Sequence, residues 1–306
     1  DNQTTGGDTT SSGEGTTEDV TTGEQVQSLA QKVYAASDNQ TITLTAGTYE
    51  IPAGVESGKT VPTGLTISGA GAESTIVNVQ GTTSGESTAT YFFDGGKAVT
   101  FKDLTINFGE TSNFDGFARA GDMTFEHVTI KGMGSLWGTG AVKFMNCSFV
   151  YPDEGYNEWT YNLWTYSGSS FTFENCAFAA KLGGGNEQNP AKGKFVNVYN
   201  QLPAETVGVS TVGVSMDTCK FKTEKADGTS VTANKPILNV GTGSAWNISM
   251  NNIDITEAEA AVDETTGSNL YGGNGISNSE TETSVMINGT TAWTNGGKAT
   301  ANVAEV

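Results

Sequence analysis

The sequence predicts an all-β solenoid, in which short strands stack turn upon turn. An eight-residue pattern recurs six times between residues 99 and 255, and four of its positions are apolar in every copy. Glycine is abundant at 40 residues and proline is rare at 6, which suits many tight turns between strands. The copies begin at unequal intervals, as expected when each turn of a solenoid combines a fixed core with loops of variable length.

Each copy is predicted to form two short strands joined by a sharp corner. The copies span residues 99–106, 123–130, 142–149, 171–178, 214–221 and 248–255. Apolar residues alternate with others, a two-residue break follows, and the alternation resumes. Period two is typical of a strand with one buried face. The break ends in Asp103, His127, Asn146, Asn175, Thr218 and Asn252. Asn, Asp and His adopt a left-handed backbone more readily than most residues, so a left-handed corner is predicted there.

The repeat also predicts which side chains line the core. The cysteines fall in one inward column with Leu104, Val128 and Ile253 of the other copies, so three buried free thiols are expected. The cysteine residues are Cys147, Cys176 and Cys219. A second inward column holds phenylalanine in four copies and is predicted to form a stack. Its members are Phe101, Phe125, Phe144 and Phe173.

Before the repeats, the chain is predicted to contain a tether and a helix. Residues 1–21 are rich in Thr, Gly and Ser and are predicted to be a flexible tether. Residues 22–306 are predicted to be one β-helical domain, with a capping helix within residues 22–37. The helix is indicated by a capping box that begins at Thr22 and by apolar residues at helical spacing. We expect it to cover the open end of the solenoid, where unpaired strand edges would otherwise be exposed.

A short segment before most copies is predicted to supply the third strand of each turn. These segments are residues 91–94, 117–120, 136–138, 163–166 and 237–240. Two large loops are predicted at residues 151–162 and 179–194. Residues 194–199 also alternate and are a candidate for an extra turn. Residues 284–289 are predicted to form a last turn.

These features resemble the pectate lyase-like family of single-stranded right-handed parallel β-helices. Asn146, Asn175 and Asn252 match the stacked asparagine ladder at the corner between the family's second and third strands, whereas the other corner residues depart from it. The opening sequence TITLTAGTYEI followed by LTISGAG also matches the first turns of that family. The resemblance covers about residues 40–290 and implies that the third strands and their loops form the substrate groove. It does not decide the function, because this scaffold serves both enzymes and binding proteins.

Composition limits the classes of partner. The net charge of −19 argues against binding to nucleic acid or to an anionic membrane surface. No stretch is long and apolar enough to span a membrane, and three cysteines cannot form a complete disulfide framework. We expect a monomer at a bacterial cell surface or in the extracellular medium, and a lipid anchor upstream of Asp1 is compatible with the tether. No cofactor is expected. Ca²⁺ could bridge carboxylates to an anionic polysaccharide, although no motif for it is present.

Aromatic residues near the expected groove predict contact with a polysaccharide or other glycan. Flat aromatic faces beside hydrogen-bonding groups suit sugar rings. The candidate residues are Trp137, Trp164 and Tyr166 on the strands, with Trp159 and Tyr156 from the neighbouring loop. The alternative is that these aromatics only pack the loop onto the solenoid.

Catalytic motifs of the family are absent, which favours a non-catalytic adhesin or glycan-contacting module. Arg119 is the only arginine of the chain and follows Asp94 by one turn on the expected groove strands. These two residues are the catalytic candidates for the alternative function, a divergent polysaccharide lyase or glycoside hydrolase acting on a plant or host polysaccharide. The simpler interpretation of Arg119 is a surface ion pair that contributes little to stability. His127 is interpreted as a corner residue. A purely structural stalk is the third hypothesis.

Overall fold

The computed structural model describes most of the chain. The described residues are 26–52, 54–80, 91–94, 97–108, 117–132, 134–138, 140–151, 159–165, 169–185, 190–200, 211–241, 245–277, 283–294 and 297–298. The predicted tether, residues 1–21, and the capping box that begins at Thr22 lie outside them.

The described residues form short strands and two short helices. The first half contains β1 Gln27–Ser28, α1 Leu29–Tyr34, β2 Thr41–Thr43, β3 Gly47–Ile51, β4 Leu65–Ser68, β5 Thr75–Val79, β6 Val99–Lys102, β7 Thr105–Asn107, β8 Ala118–Ala120, β9 Met123–Glu126, β10 Thr129–Lys131, β11 Gly134–Gly138, β12 Ala141–Met145 and β13 Ser148–Val150. The second half contains β14 Trp159–Thr165, β15 Ser170–Glu174, β16 Ala177–Gly185, β17 Pro190–Lys192, β18 Lys194–Asn200, β19 Thr211–Asp217, β20 Lys220–Lys225, β21 Leu238–Gly241, β22 Ala245–Asn251, β23 Asp254–Glu257, β24 Tyr271–Gly272, α2 Asn274–Ser277, β25 Ser284–Ile287, β26 Thr290–Thr294 and β27 Gly297–Lys298.

Three sheets, parallel apart from the short return strands β17, β26 and β27, run the length of the molecule. The first sheet contains β1, β3, β5, β7, β10, β13, β16, β17, β20 and β23; the second contains β2, β4, β6, β9, β12, β15, β19, β22, β25, β26 and β27; the third contains β8, β11, β14, β18, β21 and β24. From β8 to β24 the chain visits the third, second and first sheets in turn. This is a parallel β-helix, as the family resemblance implies. Within the described residues, neither helix has the length and hydrophobicity needed to cross a membrane.

All six predicted corners lie between a strand of the second sheet and the next strand of the first. Their second residues are left-handed, with φ of 52° to 55° at Asp103, His127, Asn146, Asn175, Thr218 and Asn252. The corner backbone N–H donates to the next turn, as from Asn146 to the carbonyl oxygen of Glu174 at 2.9 Å. The Asn175 side-chain amide donates to the Asn146 amide oxygen at 2.7 Å. The corners therefore connect successive turns through both backbone and side chains.

The predicted phenylalanine column occupies the centre of the core. Ring centroids are separated by 5.6 Å for Phe101–Phe125, 4.8 Å for Phe125–Phe144 and 4.9 Å for Phe144–Phe173, with interplanar angles of 8° to 12°. A second stack joins Phe149, Phe178 and Phe221 at 4.4 Å and 4.7 Å. The three cysteines are buried and free, as predicted. One continuous apolar core therefore fills the space between the sheets.

Four details differ from the sequence prediction. Helix α1 is shorter than residues 22–37 and begins after Ser28, whose hydroxyl accepts from the Gln31 backbone N–H at 3.4 Å. Its Leu29 and Val33 side chains join the core. That the helix caps the solenoid stays an expectation. Residues 179–194 are not one loop, because Ala180 and Leu182 continue the buried alternation and extend β16, which β17 then joins in antiparallel pairing.

The remaining two details concern β14 and the end of the chain. Trp159 opens β14 rather than lying in a loop, because this strand pairs with β18 from its first residue and with β11 from Tyr161. Strand β25 supplies the predicted last turn beside β22. The chain then reverses at Asn288 and Gly289, with φ of 48° and 76°, and β26 returns antiparallel. Antiparallel strands thus follow the last parallel strand of the second sheet, and the Trp293 side chain of β26 is buried.

Candidate functional site

The third sheet aligns predicted site residues in one row along the solenoid. Backbone pairing places Arg119 beside Trp137, Trp137 beside Trp164, Trp164 beside Tyr199, and Tyr199 beside Gly241. Parallel neighbours of this kind are about 4.8 Å apart. We call these five positions the aromatic row. It brings together Arg119, Trp137 and Trp164, which the sequence analysis singled out, and it adds Tyr199.

The aromatic row lies on the outer face of the third sheet. Alternate residues point to opposite faces of a strand. The adjacent row, which contains Leu136, Val198 and Val240, is buried in the core. The aromatic row therefore occupies positions on the solvent side, where a long polymer could lie along the solenoid.

A polar row runs beside the aromatic row on the same face. Pairing aligns Ser135, Asn162, Asn197 and Asn239. The Asn239 side-chain amide donates to the Asn197 amide oxygen at 2.7 Å, and both side chains are half-buried. Amide groups offer donors and acceptors to ligand hydroxyls. A row of mainly aromatic residues and a row of mainly amide residues thus lie side by side on one face. Sugar-binding surfaces use this combination.

Tyr199 is the residue that the sequence analysis missed. Residues 194–199 are a candidate for an extra turn in the sequence, but β18 is the third-sheet strand of the turn that continues through β19 and β20. A Cβ added at Gly241 would come within 2.9 Å of Tyr199 Cδ2, so the ring lies against the glycine of the next turn. The signal for this assignment was the position of residues 194–199 before the fifth copy, which matches the position of the other third strands.

The two catalytic candidates come from neighbouring turns. Phe93 forms an isolated parallel bridge with Ala118. Asp94 and Arg119 are the next residues of these two segments, so they follow the bridge side by side along the backbone. Asp94 has an interaction partner in the structure. The segment therefore places a carboxylate residue and a guanidinium residue at the same end of the third sheet.

The other predicted residues have different outcomes. Tyr156 and Tyr166 lie outside the described residues. Trp159 is paired in backbone register with Lys194 at the start of β14 and β18. His127 is a corner residue as interpreted, with its Nδ1 3.4 Å from Asp103 Oδ1, so it is separate from the third sheet. No three His, Cys, Asp or Glu side chains form a metal-binding group within the part of the chain that the structure describes.

Comparisons with protein-family models and with curated proteins give no match. Among solved structures, the chain is similar to the A-module of the mannuronan C-5 epimerase AlgE4 of Azotobacter vinelandii. The TM-score is 0.31 and the sequence identity is 12%, over 87% of this chain and 93% of that chain. Values this low carry no argument about activity.

Proposed function

We propose that this protein is a non-catalytic glycan-binding module that contacts a polysaccharide along the outer face of the third sheet. The supporting observation is the aromatic row, in which Trp137, Trp164 and Tyr199 occupy successive turns in register. Repeated aromatic positions about 4.8 Å apart suit a polymer with a repeated sugar unit. The polar row beside them supplies Asn197, a half-buried amide side chain, as a partner for sugar hydroxyls.

An extracellular or cell-surface setting belongs to this proposal. Polysaccharides occur there, and the net charge of −19 disfavours binding to nucleic acid or to anionic lipid. A module held at a cell surface would act as an adhesin. If the protein is secreted, the same surface would keep the protein bound to a glycan.

A glycan array followed by calorimetric titration with the best ligand tests this proposal. Each stacking contact is worth about 0.5–1.5 kcal/mol beyond burial. The double change Trp137→Ala/Trp164→Ala should therefore weaken binding by about tenfold, with thermal melting unchanged. Met286→Ala is the control, because Met286 is an exposed apolar residue on the second sheet. Equal affinity of the double variant and the wild-type protein would exclude the aromatic row as the binding surface.

The second candidate function is a polysaccharide lyase that uses Arg119 as its base. The observation in its favour is the bridge between Phe93 and Ala118, which brings Asp94 and Arg119 to adjacent turns. The binding proposal predicts that polygalacturonate and alginate yield no unsaturated uronides, with or without Ca²⁺. Release of such products, abolished by Arg119→Ala with retained folding, would establish the lyase instead.

A further inference from the structure

A second surface that the aromatic row does not use lies on the outer face of the first sheet. It is an open groove of about 530 Å³. Its floor has two in-register rows. Ile76, Thr105 and Thr129 form one, and Asn107, Lys131 and Val150 form the other. We call this surface the first-sheet groove.

The floor of the first-sheet groove is held by partly buried hydrogen bonds. Thr105 Oγ1 donates to the Ala72 carbonyl oxygen at 2.6 Å, which fixes the turn at one end of the groove. Thr75 is fully buried, and its hydroxyl donates to the Thr45 carbonyl oxygen at 3.1 Å and accepts from the Ala70 N–H. The groove therefore exists as a preformed surface, which lowers the entropic cost of binding.

Tyr151 and Glu224 form the wall at the other end. The Tyr151 hydroxyl donates a hydrogen bond to the Glu224 carboxylate, across 73 positions of sequence. Lys181 Nζ lies 5.4 Å from the centroid of the Tyr151 ring. The hydrogen bond from Tyr151 is the largest cause that lowers the pKa of Glu224, and Lys222 lowers it further. Glu224 is therefore a charged acceptor at neutral pH.

The first-sheet groove is long and narrow rather than compact. Its lining residues lie on or next to β5, β7, β10, β13, β16 and β20, which are consecutive neighbours in the first sheet. Five steps of about 4.8 Å span about 24 Å. That length suits an extended chain of several units better than a single small molecule.

The charges and side chains of the groove select among extended ligands. Its lining includes the carboxylates of Glu73 and Glu224 and the ammonium group of Lys131, and the ammonium groups of Lys222 and Lys181 lie beside Glu224 and Tyr151. The local charges are therefore mixed, and the net charge of −19 of the whole protein disfavours a polyuronate or a phosphate polymer. The lining otherwise alternates hydroxyl and amide groups with the apolar side chains of Ile76, Val150 and Tyr151, as sugar hydroxyls and ring faces require.

We infer that the first-sheet groove is a binding site for a neutral oligosaccharide, distinct from the aromatic row. Glu224 and Glu73 accept from sugar hydroxyls, Tyr151 contributes an apolar wall, and Asn107 and Thr129 contact the middle of the ligand. This inference does not depend on the proposed function of the third sheet, because the residues of the two surfaces belong to different sheets.

Calorimetric titration with four neutral hexaoses, built from xylose, mannose, β-1,4-linked glucose and α-1,4-linked glucose, tests this inference, with the galacturonate hexamer as the anionic comparison. Thr129→Arg places a large side chain across the floor of the groove. It should weaken binding of the preferred neutral hexaose by about tenfold or more. Thr124→Arg is the matched control, because Thr124 is a half-buried threonine of the same turn on the second sheet. The control should bind like the wild-type protein.

A second pair of variants covers the case in which Thr129→Arg does not fold. Ala179→Arg blocks the groove, and Ala141→Arg is its control, because Ala141 is a half-buried alanine on the second sheet. Trp137→Ala/Trp164→Ala should leave binding at the first-sheet groove unchanged. The inference is wrong if no neutral hexaose binds, if the blocking variants bind normally, if the tryptophan pair is required, or if the galacturonate hexamer is the ligand that the blocking variants lose.

Discussion

At the residue scale, the core keeps three thiols close together without joining them. Cys147 and Cys176 are both buried, and the Sγ atoms donate to backbone carbonyl oxygens such as that of Phe125, 3.4 Å from Cys147 Sγ. Hydrogen bonds with Cys147 and Cys219, followed by burial, raise the pKa of Cys176. Side chains of in-register parallel neighbours point the same way, which does not favour a disulfide.

The cysteines should therefore be inert in the folded protein. All three thiols are buried out of reach of a reagent in solution, and at Cys176 the raised pKa also suppresses the reactive thiolate. An aromatic disulfide reagent should detect no thiol in the native protein at pH 8 and three thiols in denaturant without reductant. One thiol in denaturant would mean that two cysteines are bridged.

The phenylalanine column should dominate the stability of its turns. Phe144 is fully buried between Phe125 and Phe173, so Phe144→Ala leaves a cavity in the stack. We expect a loss of about 3–5 kcal/mol in the free energy of unfolding. Thr124→Ser, on the outer face, should cost less than about 0.5 kcal/mol. Urea titrations of both variants make the comparison, and similar losses would contradict the assignment of inner and outer faces.

At the element scale, the corner between the second and first sheets is the recurrent joint of the solenoid. Five of the six repeat corners carry Asn, Asp or His, and one carries Thr218. A left-handed backbone is an outlier for a β-branched residue. Thr218 keeps φ at 55° because its N–H donates to the Asn251 carbonyl oxygen at 3.0 Å and its neighbours fix the strands on both sides.

Replacing this residue should stabilise the protein. Thr218→Asn removes a strained β-branched residue and extends the asparagine ladder that Asn146 and Asn175 begin. We expect a gain of about 1 kcal/mol in the free energy of unfolding. The reverse change Asn146→Thr should lose at least about as much, because it also removes the side-chain bond to Asn175. A urea midpoint for Thr218→Asn at or below that of the wild-type protein would show that the corner carries no strain.

At the scale of the whole molecule, local signals predicted the fold better than the sites. The corners and strands follow from alternation and backbone preference, which reside in a few consecutive residues. The first-sheet groove depends on Tyr151 and Glu224, which meet only because strands far apart in sequence stack in register. Asn-Gly is a typical hairpin turn, so the pair Asn288 and Gly289 could have predicted the antiparallel return of β26. The sequence analysis predicted only the last parallel turn.

The high net charge should also make the stability of the whole solenoid depend on ionic strength. Repulsion within a chain of net charge −19 opposes the compact state. Exposed ion pairs such as Lys102–Glu126 at 3.2 Å and Lys220–Glu257 at 3.4 Å offset little of it. Screening lengths fall from about 30 Å at 0.01 M to about 8 Å at 0.15 M salt. Potassium chloride should therefore raise the melting temperature over this range.

Calorimetry in 0.01 M and 0.15 M potassium chloride at pH 7 measures this effect. We expect a rise of about 2 °C or more, because about 1 kcal/mol shifts the melting temperature of a domain of about 150–250 residues by about 2–4 °C and that of a larger domain by less. Magnesium chloride at the same ionic strength should give a similar rise, and so should calcium chloride if calcium acts only by screening. A fall in the melting temperature with salt would show that ion pairs outweigh repulsion. A larger rise with micromolar calcium than with magnesium would instead indicate a specific calcium site.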